Sequence, residues 1–500
     1  MAFFPLKLPP GLYRNGTQYQ AKGRWLNANL IRFFQGAIMP LGGWRTKSPT
    51  TLIGKGRAIV SWHDNSSDTW SGIGTEQKLY AMTRDGTLSD ITPSGFTVGR
   101  ADAVAEGGYG DGTYGAGYNY GAPIPDQNAI QEASMWSMDN FGQYLIGIMA
   151  EDGFLYQWTL NTGTAAAKVS GAPTGVALLV TAEGMAMVLG ANNNPRLVQW
   201  CDQQVITTWT PSASNQAGDY QLGTAGRLMM GLRIKSGNLI FTDVDVWLAY
   251  YEANSFVYGF NKVGQGCGAI SRGCAIAVDA VATAYGAQAV WMGTNGFWLY
   301  NGYVLPLACD VWDAVFGNLN ILQRSKITAE MNSAFGEITW HYPGASSTEV
   351  DSYVTWNFRE NHWTMGLLAR FAGVDAGVNS FYPMRVGNDG TVYEHDVGHA
   401  YPGSAMPFLE SGPVELGNGD QIQYARKLIP DDITAGDVEA TFFVKFEPDD
   451  IETGFGPYTV SKLTDVRFAG RQLRVRYDGV NLDAWRIGVP RLDLVAGGLR

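Results

Sequence analysis

One pattern recurs along most of the chain: a strand-like run, a polar turn, then an aromatic-rich strand. It is carried by "RAIVSWHD" with "KLYAMTRDGTLSDITP", by "MWSMDNFGQYLIGIMAEDGFLYQWTL", by "GVALLVTAEGMAMVLGANNNPRLVQWC" and by "RLMMGLRIKSGNLIFTDVDVWLAYY". "CAIAVDAVATAYGAQAVWMGTNGFWLYNGYVLPLA", "GEITWHYPGASSTEVDSYVTWNF" and "MRVGNDGTVYEHDVG" complete the series. The aromatic landmarks are Tyr80, Tyr156, Trp200, Trp247, Trp298, Trp356 and Tyr393. Apart from the first interval they are spaced 37–58 residues apart, and a period near ~40–50 residues with several strands per unit predicts an all-β chain folded as a β-propeller. Asp85-Gly86, Asp152-Gly153, Asn295-Gly296 and Asp389-Gly390 are hairpin signals, because these pairs accept positive φ. Six or seven blades fit the pattern. The best helical stretch, Asp310 to Thr328, predicts one short surface helix.

The repeat covers residues 53–402. Residues 1–52 are punctuated by Pro and Gly and read as a basic N-terminal arm. Residues 403–500 read as further strands, with the alternation from Arg471 to Tyr477 marking a half-exposed antiparallel strand. A small C-terminal β-sandwich is expected there. The WD dipeptide pattern of scaffolding propellers is missing.

A Gly/Tyr-rich insertion near 95–133 separates the first two repeats and contains "GGYGDGTYGAGYNYGAP". Gly110, Gly112 and Gly115 form a formal G-x-G-x-x-G. A phosphate cradle of that kind needs a hydrophobic strand before the glycines and a helix after them. Here "ADAVAEGGY" precedes, and Gly117, Gly121, Pro123 and Pro125 break any helix that follows. The segment instead reads as a long loop whose Tyr109, Tyr114, Tyr118 and Tyr120 can stack on a partner. "GQGCG" at Gly264–Gly268 lies between repeats, where glycine permits a sharp turn.

Charge is uneven. No Asp or Glu precedes Asp64, and the opening carries Lys7, Arg14, Lys22, Arg24, Arg32, Arg45, Lys47, Lys55 and Arg57. That stretch is predicted to dock on acidic neighbours rather than on nucleic acid, since its basic residues are spaced singly and the body is acidic. Cys201, Cys267, Cys274 and Cys309 form no C-x-x-C pair and read as buried free thiols. "MAFFPLKLPPG" does not read as a secretory signal, because Pro5, Pro9 and Pro10 interrupt the apolar run.

Catalytic patterns are weak. His395 and His399 are four apart, but Gly398 intervenes and no helix aligns them. His63-Asp64 beside Ser66 and Ser67 reads as a polar turn, and no G-x-S-x-G is present. Asp243 and Asp245 flank Val244 and would share a strand face, the minimal condition for a carboxylate pair in a glycoside-cleaving propeller. Arg467, Arg471, Arg474, Arg476, Arg486 and Arg491 alternate with Asp465, Asp478, Asp483 and Asp493, which suits a mixed solvated surface or a subunit contact. No catalytic residue, metal or cofactor is expected.

The stretch from Leu8 to Arg45 carries Asn15-Gly16-Thr17, Gly23-Arg24-Trp25, "NLIRFFQG" and Pro40-Leu-Gly-Gly-Trp44. It resembles the opening of the tail hub or nozzle proteins of short-tailed bacteriophages, also called packaged-DNA stabilisation proteins. The Gly/Tyr insertion, "WMGTNGFWLYNGYVLPLACDVWDAVFGNLN" and "RQLRVRYDGVNLDAWRIGVPRLDL" are similar to the same family. The resemblance implies a non-enzymatic virion protein, assembled in the host bacterial cytoplasm and located in the tail. It implies a homo-hexameric ring below the adaptor and portal proteins that retains packaged DNA, conducts it without sequence-specific contact at the host envelope, and carries fibres or spikes. Arg24, Trp25, Arg32, Trp44 and Arg45, with the four insertion tyrosines, are the expected assembly contacts. An acidic wall suits a conduit, because a basic one would hold DNA through counterion release. The competing expectation is a carbohydrate-binding or glycoside-cleaving propeller for receptor recognition.

Overall fold

A computed structural model describes residues 2–105, 130–253, 256–417, 419–447 and 449–498. Nearly all regular structure is antiparallel β, built largely on the turns expected from the sequence: Gly86, Gly153 and Gly390 each take positive φ between two strands, whereas Asn295 and Gly296 turn without it. Among the described residues there is one α-helix, Trp312–Phe316, inside the stretch expected to be helical. Among the described residues no helix is long and apolar enough to cross a membrane.

The repeats fold into four-stranded sheets. Sheet I comprises Gly56–His63, Thr69–Thr75, Leu79–Thr83 and Leu88–Asp90. Sheet II comprises Trp136–Phe141, Tyr144–Met149, Leu155–Trp158 and Ala167–Lys168. Sheet III runs from Ala177–Val180 to Gly218–Gln221, sheet IV from Leu228–Ile234 to Tyr258–Gln265, and sheet V from Ala275–Ala277 to Val304–Leu307. Sheet VI runs from Thr328–Asn332 to His362–Leu367. Sheet VII takes Arg370–Val374, Met384–Gly387 and Val392–His395 from its own repeat, and its fourth strand, Trp44–Thr46, from the far N-terminus. The first strand of each sheet lies against the first strand of the next, and that of sheet VII against that of sheet I. The arrangement is that of a β-propeller. Large aromatics such as Trp158, Trp291, Trp340 and Trp356 are buried between sheets.

The opening residues are woven through the molecule instead of forming a separate arm. Ala2–Pro5 pairs with Arg491–Ala496, and Trp25–Asn29 pairs with Phe408–Ser411. Both pairings lie in the C-terminal sheets. One of these sheets has the order Ala2–Pro5, Arg491–Ala496, Gln423–Ile429, Thr464–Gly470. The other is built around Gln472–Gly479 and Val438–Lys445, each buried at every second residue as the alternation predicted. Their apolar sides, including Ala425, Leu428, Phe442, Val466, Phe468, Val475 and Leu492, join one core that continues into sheets V and VI.

Candidate functional site

The loops leading into each first strand gather on one face of the ring. Four basic residues sit there, just before or at the start of a first strand: Arg57 in sheet I, Arg227 before sheet IV, Arg272 before sheet V and Lys326 before sheet VI. The two stems of the Gly/Tyr insertion, residues 99–105 and 130–135, cross this face as a strap. Their tips pair as a short ladder, Val104 with Gln131 and Ala105 with Ile130.

The strap is tied to sheets on several sides of the ring. Gly99 N–H donates to Glu76 O at 2.8 Å in sheet I, and Arg100 donates to both oxygens of Glu151 beside sheet II, at 2.9 and 2.6 Å. Arg57 donates to Ala101 O at 2.7 Å and to both oxygens of Glu349, at 3.2 and 2.9 Å. Gln323 exchanges two hydrogen bonds with the Ala103 backbone, 2.9 and 2.8 Å. Lys326 donates to Asp102 at 2.5 Å, Thr348 O at 2.7 Å and Glu349 at 3.0 Å. Its side chain is 0% exposed, so its charge depends wholly on those acceptors. Glu132 of the strap pairs with Arg227 and lies 3.5 Å from Arg272. Burial lowers the pKa of Arg272, and Glu132 opposes that shift. Two connected hollows flank the strap, of about 380 and 210 Å³, sharing Glu151, Arg227 and Arg272. Basic residues of the ring are thus neutralised by acids the strap and neighbouring loops bring to them.

Of the N-terminal candidates, Arg32, Trp44 and Arg45 lie in a second charged cluster at the closure of the ring. Arg32, 3% exposed, donates to both oxygens of Glu337 at 2.7 Å and to Asp396 at 3.1 and 3.2 Å. Those anions hold its guanidinium pKa above the ordinary value against burial, and Arg32 holds the buried Asp396 carboxyl below its own. Trp44 stacks on His395 at 5.3 Å and Arg370 lies over its ring at 4.8 Å. Trp25 is buried against Phe33 and Tyr477. These three side chains are interior, which corrects their expected role as contacts for a partner: burial against this chain's own core leaves no face to offer. Arg24 pairs with Asp310 at 2.9 Å and Arg45 with Glu394 at 2.8 Å, both partly exposed. Lys22 and Lys47 likewise pair with Glu415 and Glu394. The acidic neighbours of the basic opening therefore belong to this same chain. Tyr109, Tyr114, Tyr118 and Tyr120 lie outside the described residues, as do Gly110, Gly112 and Gly115.

The weak catalytic patterns come apart. Asp245 opens the third strand of sheet IV, but Asp243 lies in the turn before it. Asp245 is buried and accepts from Thr224 at 3.0 and 2.9 Å and Trp247 Nε1 at 3.1 Å, with Lys262 at 2.9 Å. These bonds hold its pKa low against burial, so it is a fixed anion and not an acid. Asp243 instead faces Arg227 at 3.4 Å. Asp64 closes a turn by accepting from the Ser66 and Asp68 N–H groups, as expected of a polar turn. Gly268 has its reason in close approach: a Cβ there would meet the Asp243 backbone at 2.1 Å. Among the described residues no group of three His, Cys, Asp or Glu is placed to hold a metal. The four cysteines are free; burial pushes the Cys201 and Cys267 thiols up to about 11 and that of Cys309 up to about 12, away from thiolate reactivity.

Sequence reasoning counted Arg57 only within the basic opening and missed Arg227, Arg272, Lys326 and the strap acids. A signal was present: "GRAIV", "GRLMM", "SRGCAIA" and "SKITAE" each place a basic residue beside the start of an apolar first strand.

No protein-family model matches the chain, and no curated protein matches it. Among solved structures the chain is similar to virginiamycin B lyase from Staphylococcus aureus, at 8% identity over 70% of this chain and 97% of that one, with a TM-score of 0.40. It is similar to the Pan2 WD40 domain from Neurospora crassa, at 8% identity over 72% and 95%, with a TM-score of 0.38. It is also similar to exo-β-1,3-galactanase from Phanerochaete chrysosporium, at 8% identity over 91% and 100%, with a TM-score of 0.28.

Proposed function

We propose that this chain is a structural protein of a bacteriophage virion, a tail hub or nozzle subunit. In this reading it is a seven-bladed propeller closed by Trp44–Thr46, carrying a C-terminal β-sandwich. Copies would join head to tail into a closed homo-hexameric ring. The ring would sit below the tail adaptor and portal, retain packaged DNA, pass it at ejection and carry fibres or spikes. The observation that carries the reading is the path of residues 2–46. Ala2–Pro5, just ahead of the segment with the family resemblance, pairs into one C-terminal sheet; within that segment Trp25–Asn29 pairs into the other, and at its end Trp44–Thr46 completes sheet VII. One stretch of chain thus clamps the two parts of the molecule together. Such a clamp suits a protein that bears load in an assembly.

Particle mass and symmetry test it, by light scattering and negative-stain images of the purified protein with and without the adaptor ring. A sixfold ring with a central hole, alone or on the adaptor, is the expected result. A monomer that ignores the adaptor and binds polysaccharide would overturn it in favour of the carbohydrate-recognition reading.

A further inference from the structure

The two C-terminal sheets part at one end. Between them lies an open groove of about 690 Å³, within the range of binding sites for a side chain or small ligand. Its floor is apolar: Ala425, Val444, Phe455 and Phe468. Phe468 touches Phe455 at 5.8 Å and Phe442 at 5.0 Å across the sheets, so the floor is fixed by aromatic packing. Tyr424 and Phe446 stand at the rim, 49% and 47% exposed. Solvent exposure of two such rings beside an apolar floor is unfavourable unless something covers them.

The charge of the groove is opposite to that of the chain. The formal net charge is −11, yet the charged residues lining the groove are Arg426 and Arg467 and no acid. Arg426 shares Asp493 at 3.2 Å and remains 48% exposed. Arg467 is exposed and has no carboxylate within ion-pairing distance among the described residues. The groove is also bounded by two sheet edges. Thr453–Thr459 pairs only with Val438–Lys445, and Thr464–Gly470 only with Gln423–Ile429. The first edge is blunted by Pro457, which has no N–H to give. The second contains no proline and keeps its outer N–H and C=O groups available to an added strand.

We propose that this groove is the docking site for an extended acidic segment of a partner protein, which inserts an aromatic or aliphatic side chain between the two sheets. The inserted side chain covers the phenylalanine floor, and flanking carboxylates meet Arg426 and Arg467. The backbone of the segment lies along Thr464–Gly470. The inference is independent of what the ring does.

The test uses the full chain and a dye-labelled peptide in which phenylalanine and leucine alternate with glutamate, read by fluorescence anisotropy. Saturable binding is expected, and the same peptide with lysine for glutamate should not bind. Arg467→Glu is on the surface and should weaken binding about five- to tenfold, the size expected when a partly exposed ion pair becomes a repulsion. Ala469→Trp, which fills the groove, should weaken it at least as much. Absence of saturable binding, equal binding of the lysine peptide, or no effect of Arg467→Glu would overturn the proposal. So would binding of dodecanoate with the same dependence on Arg467 when the peptide is not bound, because the site would then serve a small amphiphile. A change in particle mass on Arg467→Glu would make the occupant a second copy of this chain, and would overturn it as well.

Discussion

Lowering the pH from 7 to 5 should weaken the fold through one imidazole, that of His395. The ring is buried, 2% exposed. Its Nε2 accepts from Arg370 Nε at 2.9 Å, and Nδ1 lies 3.3 Å from Arg385 Nη1. Trp44 covers one face. The acids nearby are already engaged: Glu330 with Arg385 and His341, Asp396 with Arg32, and Glu394 with Arg45 and Lys47. Burial first, then the charges of Arg385 and Arg370, hold the His395 pKa well below the ordinary value of 6.5. In the unfolded chain the same group takes up a proton near pH 6.5. Below that pH the unfolded state binds more protons than the folded state, so stability falls as pH falls. The slope approaches about 1.4 kcal/mol per pH unit, and integrating from pH 7 to 5 gives about 2 kcal/mol for an imidazole that stays neutral when folded. His341 adds a loss of the same sign, since its burial lowers its pKa more than Glu330 raises it. The depressed carboxylates Glu330, Glu394 and Asp396 are ionised at both pH values. Their contribution is lost progressively as pH falls below about 5, where the unfolded carboxyls begin to take up protons. The assay is urea unfolding followed by tryptophan fluorescence at both pH values, on the wild type and on His395→Gln, which keeps a hydrogen-bond acceptor but cannot titrate. The variant should lose about 2 kcal/mol less than the wild type between pH 7 and 5. Identical losses would refute the reasoning, because they would mean that His395 takes a proton in the folded chain.

Two further substitutions probe the strap and the closure. Lys326→Met removes the cation from Asp102, which is half exposed, and one of the two buried cations from Glu349, which keeps Arg57, and should cost about 1.5–3 kcal/mol. Limited proteolysis should then cut residues 99–105 faster, whereas Lys326→Arg should keep part of the protection. Trp44→Ala empties the site between His395 and Tyr401 and should cost about 3–5 kcal/mol. Amide exchange should accelerate in Met384–Gly387 and Val392–His395, and unchanged exchange there would mean that the N-terminal strand does not close the ring.

The repeat was legible because each unit spends its aromatic at the same structural position. Tyr80, Tyr156, Trp200, Trp247, Trp298, Trp356 and Tyr393 all lie on the third strand of their sheets. In several repeats the turn before that strand is local enough to be read from a dipeptide. Asp152 and Asp389 illustrate this: each sits in a D-G turn and accepts from the hydroxyl of the tyrosine four residues on. The closure of the ring had no such local signature. Arg45 meets Glu394 across 349 residues of sequence, and a three-residue strand such as Trp44–Thr46 has no periodicity of its own. A repeat shows that the last unit lacks a strand without showing which segment supplies it, and so residues 1–52 read as an arm.

The same limit explains the two site errors. Asp243 and Asp245 share a face only if both belong to one strand, and the strand begins at Asp245. Arg32 was expected at an assembly contact, and its acids, Glu337 and Asp396, are 305 and 364 residues away. Arg57, Arg227, Arg272 and Lys326 form the converse case. Each looked ordinary alone, and their common place at the start of a first strand acquires meaning only when the strands are set in a ring and a strap bearing Asp102 and Glu132 crosses them. Long-range charge pairing decides where this chain's basic residues go. Composition could establish that acids were available to them, but the topology assigned the partners.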